Sequence, residues 1–263
     1  MADQKKVALI SGAGRGIGAA TARELGRRGY HVIVNYRANT AAARQVAVDI
    51  ATEGGSAEIR QADVCDADQV ANLVRGVHAD HERIDLLICN ANTVNPPFEP
   101  LLSVSWEAFI GKVDGELAGA FFLTQSVLPA MQAAGSGRIV YISSTAADWA
   151  GSVAAHSTAK AALNTFSRHV AATAAEHGVS VNTLAFATVR TDATAGVLND
   201  ALRGYTEQRS VRGRLLDPVD AAKAVAAVAT DDGFGAAVGQ LIRIDAGYEL
   251  LDQQLHPTRS FFE

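Results

Sequence analysis

Cysteine is almost missing from this chain: 263 residues hold only Cys65 and Cys89. Two thiols so placed are too few for a disulfide framework or a four-ligand zinc site, and no metal centre is expected. A reducing, cytoplasmic setting with both thiols buried is the expectation that follows. Basic charge is also short. Lys and Arg number 23 against 28 Asp and Glu, for a formal net charge of −5. No basic stripe stands out to neutralise phosphates, so nucleic acid is not an expected partner. Charged or Gly-rich breaks interrupt every apolar stretch before it reaches membrane-spanning length, and no membrane partner is expected. The opening segment MADQKKVALI carries charge without a long apolar core behind it, which argues against a signal peptide.

What is present is an alternation. Short apolar runs stand at 6–10, 31–36, 57–60, 84–89, 137–143, 179–185 and 240–245. Between them lie longer segments with helical spacing and few prolines, such as 17–28, 41–53 and 66–80. Continuous apolar strands alternating with helices predict a parallel sheet covered on both faces. The fold class expected is α/β, a doubly wound seven-stranded parallel sheet of Rossmann type in a single domain. No linker or repeat divides the chain. Residues 188–216 have no clear strand and carry several arginines, and they are expected to form a lid over the carboxyl ends of the strands, where ligands bind in such sheets.

KVALISGAGRGIG (6–18) is the first motif with chemistry in it: strand, glycine turn, then helix. Glycines let a backbone approach a pyrophosphate, and a helix N-terminus offers unpaired N–H groups. The strict G-x-G-x-x-G spacing fails because Ile17 takes its last position. The spacing that fits is G-x-x-x-G-x-G, through Gly12, Gly16 and Gly18.

At this point the chain resembles the short-chain dehydrogenase/reductase family. Its N-terminal fingerprint T-G-x-x-x-G-x-G is matched with Ser11 in place of threonine. The resemblance places Asp63 and Val64, in QADVCD, beside an adenine ring. It aligns ICNAN (88–92), with Asn90, to the family's N-N-A-G, and GQLIRIDAGY to the closing strand and turn. It spans 5–248, so the expected organisation is one domain over 1–248, including the lid, and a C-terminal extension over 249–263.

The end of the second strand reads VIVNYRANT, with Tyr36 where a carboxylate would mark an NAD site. Arg37 follows it, and Arg15 lies in the glycine turn. Two guanidinium groups and no carboxylate suit a 2′-phosphate, which predicts NADP(H) as cofactor. Thr191 keeps its family register after the sixth strand, in the cofactor-binding set with Gly12, Arg15, Gly16, Ile17, Gly18, Tyr36, Arg37, Asp63, Val64, Asn90 and Lys160.

The catalytic half departs from the pattern. The resemblance implies an Asn, Ser, Tyr, Lys set. Ser144 and Lys160 match, but HSTAK (156–160) has His156 at the tyrosine position, and Glu116 stands at the asparagine position. Asn92 replaces the glycine of N-N-A-G, and Phe186 and Ala187 replace a Pro-Gly pair. An imidazole can donate or accept a proton near neutrality, although a charged Lys160 opposes its protonation. Glu116 would offset that opposition if it lay within hydrogen-bond range of His156.

Three functions stay open. One is reduction of a C=O or C=N bond in a mid-sized organic substrate. Another is non-redox chemistry, by a dehydratase, cyclase or isomerase using His156 and Glu116 as acid and base. The third is a catalytically silent cofactor-binding protein. His78 and His81 read as a solvated helix end, and Asp148 and Trp149 as candidate lining of the substrate pocket. Tyr205 and Tyr248 cannot be placed from the sequence. The resemblance, together with the small apolar residues of 104–133 and 152–177, implies a homodimer or homotetramer.

Overall fold

The strands β1 (Val7–Ile10) and β4 (Leu86–Cys89) are buried at every position, and β2 (His31–Tyr36) at all but its first. Strands covered on both faces have no reason to alternate polar and apolar residues, which is why they read as continuous apolar runs. The structure, a computed structural model, describes residues 5–149, 153–196 and 198–250. Most of the C-terminal extension, beyond Leu250, lies outside the described residues.

The remaining strands are β3 (Ser56–Gln61), β5 (Gly137–Ser144), β6 (Val179–Phe186) and β7 (Leu241–Ile244). All seven join one parallel sheet in the order β3-β2-β1-β4-β5-β6-β7. The order reverses between β1 and β4, and a crevice forms there beyond the strands' carboxyl ends. Every expected strand is present, to within two residues at either end. The edge strand β3 is the most polar, since only one side of it is paired.

Helices cover both faces. On one lie α1 (Gly16–Arg27), α2 (Thr40–Thr52) and α8 (Pro218–Thr230). On the other lie α3 (Ala67–His81), α4 (Trp106–Ala134) and α5 (Ala154–Ala175). Side chains set their starts. Asn39, Asp66 and Ser105 each accept a backbone N–H of the first turn, and Asp217 and Asp220 form a capping box around Pro218. Each face has its own apolar core, one around Leu9, Leu87 and Tyr141, the other around Ile10, Ile88 and Leu184. Burying one such aliphatic side chain is worth roughly 1.5–3 kcal/mol.

Two readings of the sequence need correction. α4 is long and apolar enough, by length and composition, to cross a membrane, contrary to the expectation that no stretch is. Its Gly115, Glu116, Gly119 and Leu123 face the protein interior, and a core helix satisfies the same composition test. The other concerns His81, which ends α3 but is not a free, solvated residue. Its Nε2 lies 3.2 Å from Glu58 Oε1, and its ring lies 4.5 Å from that of His31, tilted by 37°. The long connection after β6 forms two short helices, α6 (Asp192–Ala195) and α7 (Asp200–Gln208). A parallel bridge between Val189 and Leu216 closes its ends.

Candidate active site

The glycine turn is held from three sides. Ser11 Oγ accepts the backbone N–H groups of Asn90 and Ala91 at 2.9 and 3.1 Å, tying β1 to β4. The Asn90 amide donates to the carbonyls of Ser11 and Gly12 at 2.9 and 3.2 Å. Asn35, which sequence reasoning missed, accepts from the Gly12 N–H at 3.4 Å and donates to the carbonyls of Arg60 and Ala62. A buried asparagine in the apolar run HVIVNY was the available signal, because a buried amide needs partners.

Gly12 and Gly16 have φ of 63° and 56°, and a Cβ on Gly12 would lie 2.9 Å from Ala91 Cα. One on Gly18 would lie 2.5 Å from both Asn90 Nδ2 and the Gly12 carbonyl. The turn therefore presents bare backbone, followed at once by the N-terminus of α1.

A cleft of about 730 Å³ opens at this turn, lined by Gly14, Arg15, Gly16, Arg190, Thr191 and Lys223 among others. That volume is within the range of small-molecule sites. Thr191 faces Gly16 from the long connection, its Cγ2 3.5 Å from where a Cβ of that glycine would be. Arg37 is exposed, and its nearest ion-pair partner is Asp63 at 3.9 Å. Asp63 is also fixed by the Cys65 N–H at 3.0 Å. Tyr36 is different: its side chain is buried in the core, with its hydroxyl accepting from Thr40 Oγ1 at 3.3 Å. Val64 is likewise a core residue, and Ile17 packs against the core.

Ser144 ends β5, and its Oγ accepts the Ala146 N–H at 3.1 Å, which leaves the hydroxyl proton to donate elsewhere. His156 and Lys160 are one turn apart on the same face of α5. The buried Lys160 ammonium donates to the Ile142 carbonyl at 2.8 Å and to Glu116 Oε1 at 2.5 Å.

The other oxygen of Glu116 does not reach His156. It accepts from Lys112, one turn back on α4, at 2.7 Å, and Lys112 donates also to Asn92 Oδ1 at 2.6 Å. The condition for Glu116 to support His156 is thus not met, and the carboxylate instead forms a Lys112–Glu116–Lys160 bridge. Lys112 had escaped notice because a lysine in a long helix normally reads as solvated surface. It is in fact fully buried.

These contacts set the charges. Burial by itself would raise the Glu116 carboxyl, but the two ammonium groups and their hydrogen bonds prevail and hold it down at about 2. His156 moves down to about 4, first because it is buried and then because Lys160 and Lys112 repel an imidazolium, with Glu116 opposing only weakly. Its Nδ1 is buried and has no hydrogen-bond partner among the described residues. At neutral pH the imidazole is uncharged; burial pushes the Lys112 ammonium down from its ordinary value, with Glu116 opposing, and the cluster sets one carboxylate against two lysines. Beside Glu116 and Ser11 is a cavity of about 10 Å³, room for no more than one water.

Around the carboxyl ends, Asp148 pairs with Arg243 at 3.4 Å, and the Trp149 ring lies 4.9 Å from that of Tyr248. Tyr205, on α7, is 6.3 Å from Tyr248. The long connection after β6 thereby meets the ends of β5 and β7 through an aromatic trio.

The family model of the short chain dehydrogenases matches residues 6–201. A 3-oxoacyl-[acyl-carrier-protein] reductase of Synechocystis is 34% identical over 243 residues, covering 92% of this chain and 96% of that protein. Versicolorin reductase 1 of Dothistroma septosporum is 32% identical over 255 residues, covering 92% and 95%. Among solved structures, a gluconate 5-dehydrogenase from Burkholderia cenocepacia, in complex with NADP and tartrate, superposes with a TM-score of 0.86 at 27% identity, covering 93% of this chain and 95% of that one. With the sheet order, the glycine turn and these matches in agreement, the chain belongs to the short chain dehydrogenase family.

Proposed function

We propose that this protein is an NADP(H)-dependent reductase that acts on a C=O bond of a mid-sized organic substrate. The observation that carries the reading is the buried bridge that anchors the Lys160 side chain one helical turn from His156, with the Ser144 hydroxyl proton unengaged among the described residues at the end of β5. The cofactor fits the residues present. A Cβ on Gly12 or Gly18 would collide with Ala91, Asn90 or the Gly12 carbonyl, so the turn packs tightly and presents bare backbone at the start of α1, as a pyrophosphate site needs, and Arg15 and Arg37 are exposed cations suited to a 2′-phosphate. The bound NADP of the Burkholderia gluconate 5-dehydrogenase supports the same choice.

A reduced nicotinamide bound in this cleft would supply hydride to the carbonyl carbon. The protein's part is to meet the negative charge that grows on the substrate oxygen. Ser144 donates its O–H to that oxygen, and neutral His156 donates a ring N–H. The excess positive charge of Lys112 and Lys160 over Glu116 stabilises the forming alkoxide in a site where water screens little. Lys160 stands one turn behind the imidazole, held by Glu116 and the Ile142 carbonyl.

The same charge decides between the other readings. A protonated C=N substrate is a cation, and a buried site with one surplus ammonium repels it, so imine reduction ranks second. Non-redox chemistry with Glu116 as acid or base is disfavoured more strongly, because a carboxyl held down at about 2 by the two lysines has no proton to give at neutral pH and is a weak base. A silent cofactor-binding protein would have no use for a buried lysine bridge that costs several kcal/mol per ion in desolvation. The Trp149, Tyr205 and Tyr248 rings favour a substrate with a flat apolar part. Phe121 on α4 is exposed and touches Phe166 on α5, a contact face that suits a second copy of this chain.

The test is a screen of ketones and cyclic imines for loss of the NADPH absorbance band. Turnover of ketones in preference to imines is expected. Product formation without NADPH consumption would overturn the reading in favour of non-redox chemistry.

A further inference from the structure

A buried ion pair is usually neutral. Here one carboxylate serves two ammonium groups, and the remaining contacts of both lysines go to neutral oxygens. Lys112 donates to Glu116 Oε2 and Asn92 Oδ1, and Lys160 to Glu116 Oε1 and the Ile142 carbonyl. Lys112 is fully buried, and Lys160 and Glu116 nearly so, so little solvent screens the surplus. His156, the nearest titratable neighbour on α5, adds no compensating charge. No carboxylate besides Glu116 makes an ion pair with either lysine among the described residues.

We infer that Lys112 is a positioning residue that sets the cofactor's preferred oxidation state, giving the site a surplus cation that favours the neutral reduced nicotinamide over the cationic oxidised one. The inference rests on the cofactor reading above and adds the direction in which the enzyme works. Lys160 aligns with the lysine that in this family holds the nicotinamide ribose, so the surplus lies beside the ring whose charge changes. The two oxidation states share their phosphates, adenosine and amide, and differ here by one positive charge on the ring. Contacts elsewhere in the cleft cancel from the comparison, and the local field remains. Release of the oxidised form after hydride transfer is assisted by the same repulsion. The protein is thereby biased to run as a reductase.

Asn92 offers a clean way to test this, because it is exposed and its Oδ1 already touches Lys112. Asn92→Asp has nearly the same shape and adds the missing negative charge without removing either lysine. Lys112→Met removes the surplus cation directly, and Lys112→Arg keeps it. The measurement is the dissociation constant of NADPH and of NADP⁺ with each purified full-length variant, by fluorescence or calorimetry, with no turnover involved.

The parent should bind NADPH more tightly than NADP⁺, by on the order of tenfold for unit charges about a nanometre apart at an effective dielectric near 20 to 40. Asn92→Asp and Lys112→Met should bring that ratio close to one, chiefly by improving NADP⁺ binding, while Lys112→Arg should leave it in place. A purely structural role for Lys112 would weaken both forms alike and leave the ratio unmoved, which overturns the inference. If Lys112→Met does not fold, Asn92→Asp decides alone. Failure of the parent to bind either form would overturn the cofactor reading and this inference with it, whereas binding of both with a fixed ratio in every variant overturns only this one.

Discussion

Glu116 Oε1 and Lys160 Nζ lie 2.5 Å apart, joining α4 to α5 beneath the carboxyl ends of β4 and β5. The pair cannot be judged alone, because Lys112 takes the other carboxylate oxygen. Replacing Glu116 by Gln keeps the shape of the side chain but leaves two buried ammonium groups facing an amide. Breaking a buried pair from one side typically costs about 3–5 kcal/mol. Glu116→Gln should therefore lower the unfolding free energy by about that much in denaturant titration. A variant as stable as the parent would mean that the bridge contributes no net stability.

The bridge also predicts acid sensitivity. The Glu116 carboxyl is depressed to about 2, so its contribution is complete above the unfolded value near 4.5 and is lost as pH falls through that window. His156 acts in the same sense. The unfolded imidazole takes up a proton below about 6.5 and the folded one only near 4, so stability drops as pH falls between those values. Its share is at most about 3.5 kcal/mol, reduced by whatever solvent reaches the ring. His156→Phe should flatten the stability profile between pH 6.5 and 4 and leave the steeper loss below pH 4.5 to Glu116. An unchanged profile would mean that the imidazole is solvated and titrates normally.

The sheet was legible because buried parallel strands leave an uninterrupted apolar record, and the glycine turn because its geometry tolerates few other residues. Ser144, Lys160 and the departures at Glu116, His156 and Asn92 could also be named in advance. How they pair could not. A helix puts Lys112 and Glu116 on one face, but whether a carboxylate turns to a histidine or to two lysines depends on how α4 packs on α5. Tyr36 shows the same limit from the other side: its position at the end of β2 is a family cofactor position, while its ring is part of the core. Neighbours in space, not in sequence, settle such cases.

A phenol reaches farther than an imidazole, so His156→Tyr moves the donor atom toward a bound carbonyl. If Ser144, Lys160 and the cofactor cradle are otherwise in working order, the variant should gain ketone reduction, by up to about 100-fold if the shortfall is one of positioning. The comparison is kcat/KM with NADPH on one ketone for the parent, His156→Tyr and His156→Phe. Phe should lose activity, since it has no N–H to offer the substrate oxygen. Full activity in the Phe variant would remove His156 from the chemistry and leave Ser144 and Lys160 to carry it.

We propose that Arg15 and Arg37 set the preference between the two dinucleotides. Both are exposed, Arg15 makes no ion pair among the described residues, and Arg37 has only Asp63 at 3.9 Å. A guanidinium so placed is open to a phosphate, and a hydrogen bond to a charged group is worth about 1.5–3 kcal/mol, or roughly 10- to 100-fold in affinity. NADH has no 2′-phosphate to lose. Arg37→Ala should accordingly weaken NADPH binding by that factor and leave NADH nearly unchanged, with Arg15→Ala acting in the same direction. Asp63 sharpens the expectation: with Arg37 gone, its carboxylate is left uncompensated close to the phosphate site and adds repulsion. Raising the salt concentration should shrink the NADPH advantage of the parent, because charges this exposed are screened within about 10 Å at 0.1 M salt. Equal loss of NADPH and NADH in the Arg37 variant would show instead that the arginine holds the shape of the β2–α2 loop.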